Sequence, residues 1–518
     1  MDEQTRPAAA PAPASRSAPF TVPTPPVVPG PPPPPAPSKR LSDYDPDGRD
    51  RAALFLSWAV GTLFASLCMV PTSQCPGLGL TALVTAWYAA LFWYKGLAGF
   101  TTRPSVLLFA AVIALTLCFA LWSDQWFRWC NLLALLGLMT LQLFEWSGGV
   151  RQSWHLPSML AERALLLLTG LACRLPALGP AVRSFRRGKR TAVLILCGLA
   201  LTIPVALVVV PLLLSADDYF AFLSAQVVAQ LERLFGQFAA YLFVGLLFAP
   251  FLFSLMHFLR RPKPTEFQAP AVPRADPTIA VVVLTLMDLL YVLFLAAQSA
   301  ALFGGAAYLK RVSFLTYAEY ARSGFFQLVA VAGINLTLVL LALALTQQEG
   351  WPWRAVQVLS TVMVGMSCVL LVSACYRMSL YVGTFGLSFK RFLTYWGMGI
   401  LALLFAAAIW KVWHPAWRFF PVALTISVAG WLLLNFCNVD YLVARYNVDR
   451  YLRQETAVMN YDYLITELSY DALGPLSDLS GEFGGALDEL IAQRQAQARA
   501  DASDWRTWSL SAARAAGG

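Results

Sequence analysis

The sequence predicts an all-α fold: a polytopic transmembrane helix bundle followed by a small soluble helical region. Three observations carry this. Long apolar runs follow one another from residue 52 to residue 437, with almost no charge inside them. The chain is 58% hydrophobic, with a mean hydropathy of +0.59. Only 13% of its 518 residues are charged, where a soluble domain carries roughly a quarter. A run of about 20 apolar residues crosses the hydrocarbon layer as a helix. Lipid offers no partner to a backbone N–H or C=O, so the helix must satisfy them itself.

Eleven spans are read, near 52–70, 78–94, 105–122, 129–144, 191–214, 236–259, 278–304, 325–346, 356–375, 395–413 and 419–437. The pattern is compatible with ten to twelve. Three regions follow: residues 1–50, a transmembrane domain over 51–437, and a helical tail over 438–518.

Residues 1–50 differ from the rest. Positions 7–37 are mostly Pro and Ala and include the run Pro31–Pro35. With few large apolar groups to offset ordering entropy, this stretch is expected to be disordered and partly polyproline II. It reads as a plain linker or as a docking ligand for an aromatic groove. The first apolar run begins too late for a secretory signal, so the first span is expected to stay as an anchor.

Orientation follows from Lys and Arg in short loops. Lys39, Arg40, Arg49 and Arg51 precede the first span, whereas loop 71–77 has no charge. Segment 151–190 carries eight Lys/Arg against Glu162, and loop 260–277 carries Arg260, Arg261, Lys263 and Arg274. This alternation places the N-terminus in the cytoplasm. Lys310, Arg311 and Arg322, then Arg377, Lys390 and Arg391, break the phase in the second half. An even span count, ten or twelve, with a cytoplasmic C-terminus repairs it; the simplest repair is that run 278–304 does not cross just once, but the sequence does not say which segment is miscounted. The basic balance is assigned to topology and lipid headgroups, not to nucleic acid.

Segment 156–175 mixes an apolar stripe (Met159, Leu166, Leu167, Leu171) with Glu162, Arg163 and Arg174. It reads as an amphipathic helix on the inner membrane face, or as a short helix packed on the bundle.

The motifs of familiar chemistry are missing from the sequence. His155, His257 and His414 stand alone, with no metal-ligand spacing. There is no P-loop, zinc-protease helix or nucleophile elbow. No CxxC pair occurs among the nine Cys. Cys75 and Cys130 fall on the same predicted side, where a disulfide could form only with close, well-aimed Cβ atoms. No catalytic, cofactor-binding or metal-binding residue is assigned, and no cofactor is expected.

Polar residues inside spans are sharper signals. Asp288 is the eleventh residue of run 278–304 and Asn335 the eleventh of run 325–346. Neighbouring helices would hold them at one depth. A charge at mid-bilayer costs at least about 2.5–3.5 kcal/mol, so it should face a partner or a cavity. Asp288 and Asn335 therefore read as a relay for a proton or substrate, or as interhelical glue with a protonated Asp288 bonded to Asn335 or a backbone carbonyl. Pro204, Pro211 and Pro250 kink spans five and six, as in transporters with broken helices and as in many other membrane helices.

One stretch carries a signature: Leu295-Ala296-Ala297-Gln298, Leu302-Phe303-Gly304-Gly305, then Thr316-Tyr317-Ala318-Glu319-Tyr320-Ala321-Arg322 through Leu328. Asn438-Val439-Asp440-Tyr441-Leu442, Leu468-Ser469-Tyr470-Asp471-Ala472 and Asp504-Trp505-Arg506-Thr507-Trp508 extend it. Over about 190–510 the chain resembles the bacterial integral-membrane family called domain of unknown function 4173. The resemblance implies a bacterial inner-membrane protein with a cytoplasmic helical tail. It brings no activity, ligand or catalytic residue. Within the signature, Glu319 and Arg322 are three apart and can pair on one helical face. The pair orders an interface or is a solvated anchor of little worth.

In residues 438–518, Val439, Leu442, Val443 and Tyr446 recur at helical spacing. Asn438, Asn447 and Asn460 are candidate helix caps or a partner surface, and 484–500 reads as a further helix. Two functions stay open. A transporter-like bundle would move a small molecule or proton through Asp288 and Asn335. A non-catalytic platform would recruit cytoplasmic partners through both tails. The lipid bilayer is the one assured partner, and no small-molecule ligand is indicated. A transferase ranks behind both, since no cluster of carboxylates or His near the interface is evident along the chain. A polar cavity at Asp288 would favour transport; a dry helix contact there would favour the platform.

Overall fold

The computed structural model describes residues 46–70, 76–148, 150, 154, 157–184, scattered positions between 191 and 215, 218–262, 267, 274–303, 325–455 and 459–517. The Pro-rich segment and most of run 191–214 lie outside them. The membrane helices are α1 Gly48–Cys68, α2 Leu78–Lys95, α3 Arg103–Leu121, α4 Gln125–Ser147, α5 Ser158–Ala172, α6 Leu178–Arg183, α7 Asp218–Arg260, α8 Pro277–Phe303, α9 Phe325–Leu345, α10 Gly350–Phe385, α11 Phe389–Trp413 and α12 Phe419–Phe436. Then come α13 Val439–Leu452, α14 Tyr461–Thr466, α15 Leu473–Ser477, α16 Ala486–Ser503 and α17 Leu510–Gly517. Ten stretches among the described residues are long and apolar enough to cross a membrane. The fold is the expected polytopic helical bundle.

Three apolar cores organise it. The first joins α1–α5 and α7, around Leu91, Leu115, Phe119, Phe144 and Phe253. Within it α1 and α7 pack backbone against backbone. A Cβ built on Gly61 would meet the Gly245 carbonyl at 2.5 Å, and Trp58 Nε1 donates to Leu242 O at 3.0 Å. Glycine permits this approach where any side chain would hold the helices apart. Gly236 (φ +65°) breaks the 43-residue α7, so the part that packs on α1 begins there.

The second core joins α8–α11 around Met363, Val364, Ala374 and Phe405. Run 278–304 is one unbroken helix, Pro277–Phe303, of 27 residues, which does not favour the simplest repair of the charge pattern. Ala275 N donates to Leu345 O at 2.7 Å, and Gln347 N to Ala275 O at 3.1 Å. The start of α8 and the end of α9 therefore share one end of the bundle.

Segment 156–175 packs one face of α5 on the bundle and leaves Leu160, Leu165 and Leu168 exposed on the other. Met159, Glu162, Arg163 and Leu166 of α5 are buried. Arg163 pairs with Glu145 near the end of α4 at 3.3 Å. Arg174 donates to the Arg261 carbonyl, past the end of α7, at 2.7 Å. The helix packs on one end of the bundle, the second of the two readings.

The third core belongs to α13–α16 and draws in Phe127, Phe389, Trp431 and Leu434 from the membrane helices. The C-terminal region is thus a docked domain. At one end of the bundle Asp47 and Asp50 cap α1 in a capping box and pair with Arg260, while Tyr94 donates to Asp50 at 2.5 Å. At the other end the C-terminal domain is seated. Gly77 N donates to Arg506 O at 2.7 Å and Leu78 N to Trp508 O at 2.8 Å. Ser123 and Ser511 share a hydrogen bond of 3.0 Å. The start of α1 and the C-terminal domain therefore lie at opposite ends. That arrangement runs against the expectation that the start of the first span and the tail share a side.

Candidate functional site

The seat of the C-terminal domain is polar. Asp124 caps α4, its Oδ1 accepting the Phe127 N–H at 2.6 Å. One turn on, Arg128 lays its guanidinium on the carbonyls of Phe119 and Trp122, at 3.1 and 2.8 Å. These bonds close the tight α3–α4 turn. Deeper in the bundle, Asn131 Nδ2 donates to Asn435 Oδ1 at 2.6 Å, and Trp431 Nε1 donates to Asn131 Oδ1 at 2.8 Å. Asn438 caps α13 through the Tyr441 N–H. That places Asp440 in the first turn of α13, 3% exposed, its Oδ2 accepting the Ser469 N–H at 2.9 Å.

A small cavity of about 20 Å³ lies between these groups, lined by Asp124, Asp440, Asp471, Arg128, Asn131 and Asn438 among others. That volume suits one water molecule. Asp440 Oδ1 faces it without a donor among the described residues. Asp124 and Asp440 are side-chain neighbours at hydrogen-bonding range. Burial, then the neighbouring Asp440, pushes Asp124 up to about 8. Burial raises Asp440 and Asp471 as well. Two carboxyls this close cannot both ionise cheaply. A proton on Asp124 would make it a donor to the remaining oxygen, Asp440 Oδ1.

Asp124 and Ser469 also line a second, larger space of about 1090 Å³. Its walls come from both partners: Ser388, Phe389 and Lys390 of the bundle, and Tyr463, Glu467, Tyr470, Arg494 and Asp501 of the domain. Arg494 lies over the Tyr470 ring at 5.0 Å, and Tyr470 donates to Asp501 at 2.7 Å. Burial and the Asp501 bond raise the Tyr470 phenol. The cleft thus presents charges of both signs and several aromatic faces.

Of the positions singled out by sequence, Asp288 lies on the face of α8 formed with Leu284 and Tyr291, buried in the second core. It is 6% exposed, and neither carboxyl oxygen has a hydrogen-bond partner among the described residues. Asn335 is fully buried, and its amide donates to Ser367 Oγ at 2.8 Å. Tyr291 lies within range of both Asp288 and Asn335. The three share one polar patch, but Asn335 is held by α10 and not by Asp288. Glu319 and Arg322 lie outside the described residues, as do His155 and Cys75. Cys130 is a free thiol. His414 stacks on Trp410 at 4.2 Å, and His257 is buried beside Arg261. Among the described residues no three His, Cys, Asp or Glu are grouped to hold a metal ion. Asn438 and Asn460 cap helices as expected. Asn447 instead sits inside α13 and clamps the α10–α11 turn, accepting from Leu387 N at 3.1 Å and donating to Leu387 O at 2.7 Å.

Fold and seat define a multi-pass helical membrane protein with a helical domain docked on one end. The chain belongs to the family described as Domain of unknown function (DUF4153), whose model matches residues 109–479. That is a different unknown-function family from the 4173 family the motifs resembled. The match takes in Asp124, Asp440 and Asp471 together. No curated protein and no solved structure matches the chain.

Proposed function

We propose that this protein is a membrane platform, and that its working surface is the cleft between the bundle and the docked domain. The observation that carries this is the cleft itself: a space of about 1090 Å³ whose walls come from both parts and mix charged with apolar groups. Rigid docking supports it, because the domain core is continuous with Phe127, Phe389 and Trp431. Lys390 and Arg494 beside Glu467 and Asp501 suit a ligand that carries both charges, with Phe389, Tyr463 and Tyr470 as apolar walls.

The membrane is proposed to be the bacterial inner membrane, with the start of α1 in the cytoplasm. Arg49, Arg51, Lys95, Arg103, Arg260 and Arg261 support this, being grouped at one end. The domain then lies on the opposite face. Its seven Arg and twelve Asp/Glu fit that side.

Transport is the second reading, favoured by one observation: a buried Asp288 whose carboxyl oxygens have no partner among the described residues. The burial of Asp288 between Leu284 and Tyr291 supports structure over passage. Complementation of a deletion strain separates the two. Charge reversal at Lys390 and Arg494 should abolish function while Asp288→Asn keeps it. The opposite pattern would reject the platform.

A further inference from the structure

We propose that one proton, held between Asp124 and Asp440, fastens the C-terminal helical domain to the membrane bundle, so that the domain loosens when the proton leaves. The inference rests on the docked-domain reading above and adds a regulatory site to it.

The argument starts from the acceptors. Asp124 Oδ1 takes the Phe127 N–H and Asp440 Oδ2 takes the Ser469 N–H. That leaves one oxygen on each carboxyl, and the two side chains are neighbours. Asp440 is 3% exposed, and its Oδ1 has no donor among the described residues. A buried acceptor without a donor is costly. A carboxylic acid on Asp124 supplies the missing hydrogen.

Charge counting agrees. The groups facing the pair are Arg128 and Cys130 from α4, Tyr470 and Asp471 from the turn before α15, Tyr463 from α14, and Arg494 from α16. Around the pair itself three carboxyls (Asp124, Asp440, Asp471) meet two guanidiniums (Arg128, Arg494), so an added proton lowers the excess of negative charge there. The cavity is water-sized, and among the described residues no group of acids is arranged to hold a metal. A proton therefore fits better than a metal ion. Asp124 lines both the small cavity and the open cleft, so the proton can exchange with water there. On release Asp124 becomes a second carboxylate facing Asp440, and their repulsion acts across the seam between α4 and α13.

The sign is set by the raised carboxyls. The folded protein holds a proton that the unfolded chain gives up, so stability falls as pH rises from the ordinary value of 3.8 to about 8.

The test uses the full-length protein in lipid nanodiscs, with thermal unfolding followed across that pH window. The wild-type midpoint should fall as pH rises. Asp124→Asn should flatten the slope, because its amide donates to Asp440 at every pH. A wild-type slope in Asp124→Asn overturns the proposal. Should Asp124→Asn fail to fold, infrared spectra of the Asp288→Asn protein replace it. A protonated-carboxyl band below pH 8 that vanishes above it supports the proposal, and its absence overturns it. Exchanging sodium for potassium at fixed ionic strength should leave the midpoint unchanged. A sodium-specific rise would assign the charge to a metal ion and overturn the proton. If the platform reading alone is wrong, the cleft variants keep function while this pH slope persists.

Discussion

Asn131 donates its side-chain amide to Asn435 Oδ1 at 2.6 Å, joining the fourth membrane helix to the last one beneath the seat of the C-terminal domain. Both residues are almost fully buried. Asn131→Ala or Asn435→Ala should each cost on the order of 1 kcal/mol, the scale of interhelical hydrogen bonds in membranes. The double variant should cost less than the two losses added. Thermal melts of the four proteins measure it, and strict additivity would show that the bond contributes nothing.

Gly61 and Gly245 set the spacing of α1 and α7. Gly61→Leu should destabilise the bundle by about 3 kcal/mol, at the upper end of overpacking costs, or prevent folding. Gly137, around which a Cβ meets open space, is the control, and Gly137→Ala should be tolerated. Detergent-solubilised melting curves decide the comparison.

Gly77 touches the tail directly. A Cβ there would collide with the carbonyls of Thr507 and Trp508. Gly77→Val should unseat residues 504–517 and expose Arg506 and Arg514 to trypsin, with the membrane helices intact. Unchanged cleavage would mean that the tail is held elsewhere.

Arg260 neutralises Asp50, which is fully buried. Arg260→Ala should cost about 3 kcal/mol, the low end for breaking a buried pair, because it leaves the buried Asp50 to the longer Arg261 contact at 3.6 Å. Arg260 also holds Asp47; burial pushes that carboxyl up, but the Arg260 bond, the Asp50 N–H and the charges of Arg260 and Arg261 together outweigh it, so its value is lowered. This part of the stability is present above the ordinary value of 3.8 and is lost as pH falls below it. Thermal melts at neutral and acid pH should show the variant's deficit shrinking in acid.

Asp288→Leu should be neutral or stabilising. It removes a buried carboxyl with no partner among the described residues, and Asn335 keeps its bond to Ser367. A loss above about 1 kcal/mol would instead reveal a partner that holds Asp288 in place.

The membrane helices were legible because an apolar run long enough to span leaves one structural solution. Helix caps were legible at Asn438 and Asn460, where the partner is three residues away. Asn447 was misread for the opposite reason: its partner, Leu387, is 60 positions distant. The seam failed in the same way. Asp440 and Asp471 stand inside the signature motifs and Asp124 stands in none, and no local pattern says that these segments meet. Charge counting also put the start of α1 and the C-terminal domain at one end, whereas the structure has them at opposite ends. Lys390 and Arg391 suggested an inner loop, whereas Arg391 is turned back onto the Phe385 and Gly386 carbonyls and the Tyr381 ring.

The central claim is that the C-terminal domain sits on the end of the bundle opposite the start of α1. Reporter tags placed before Asp47 and after Gly518, probed in intact and then permeabilised cells, test it most directly. The account predicts that one tag is reached only after permeabilisation and the other in intact cells. Both tags responding on the same side would contradict it.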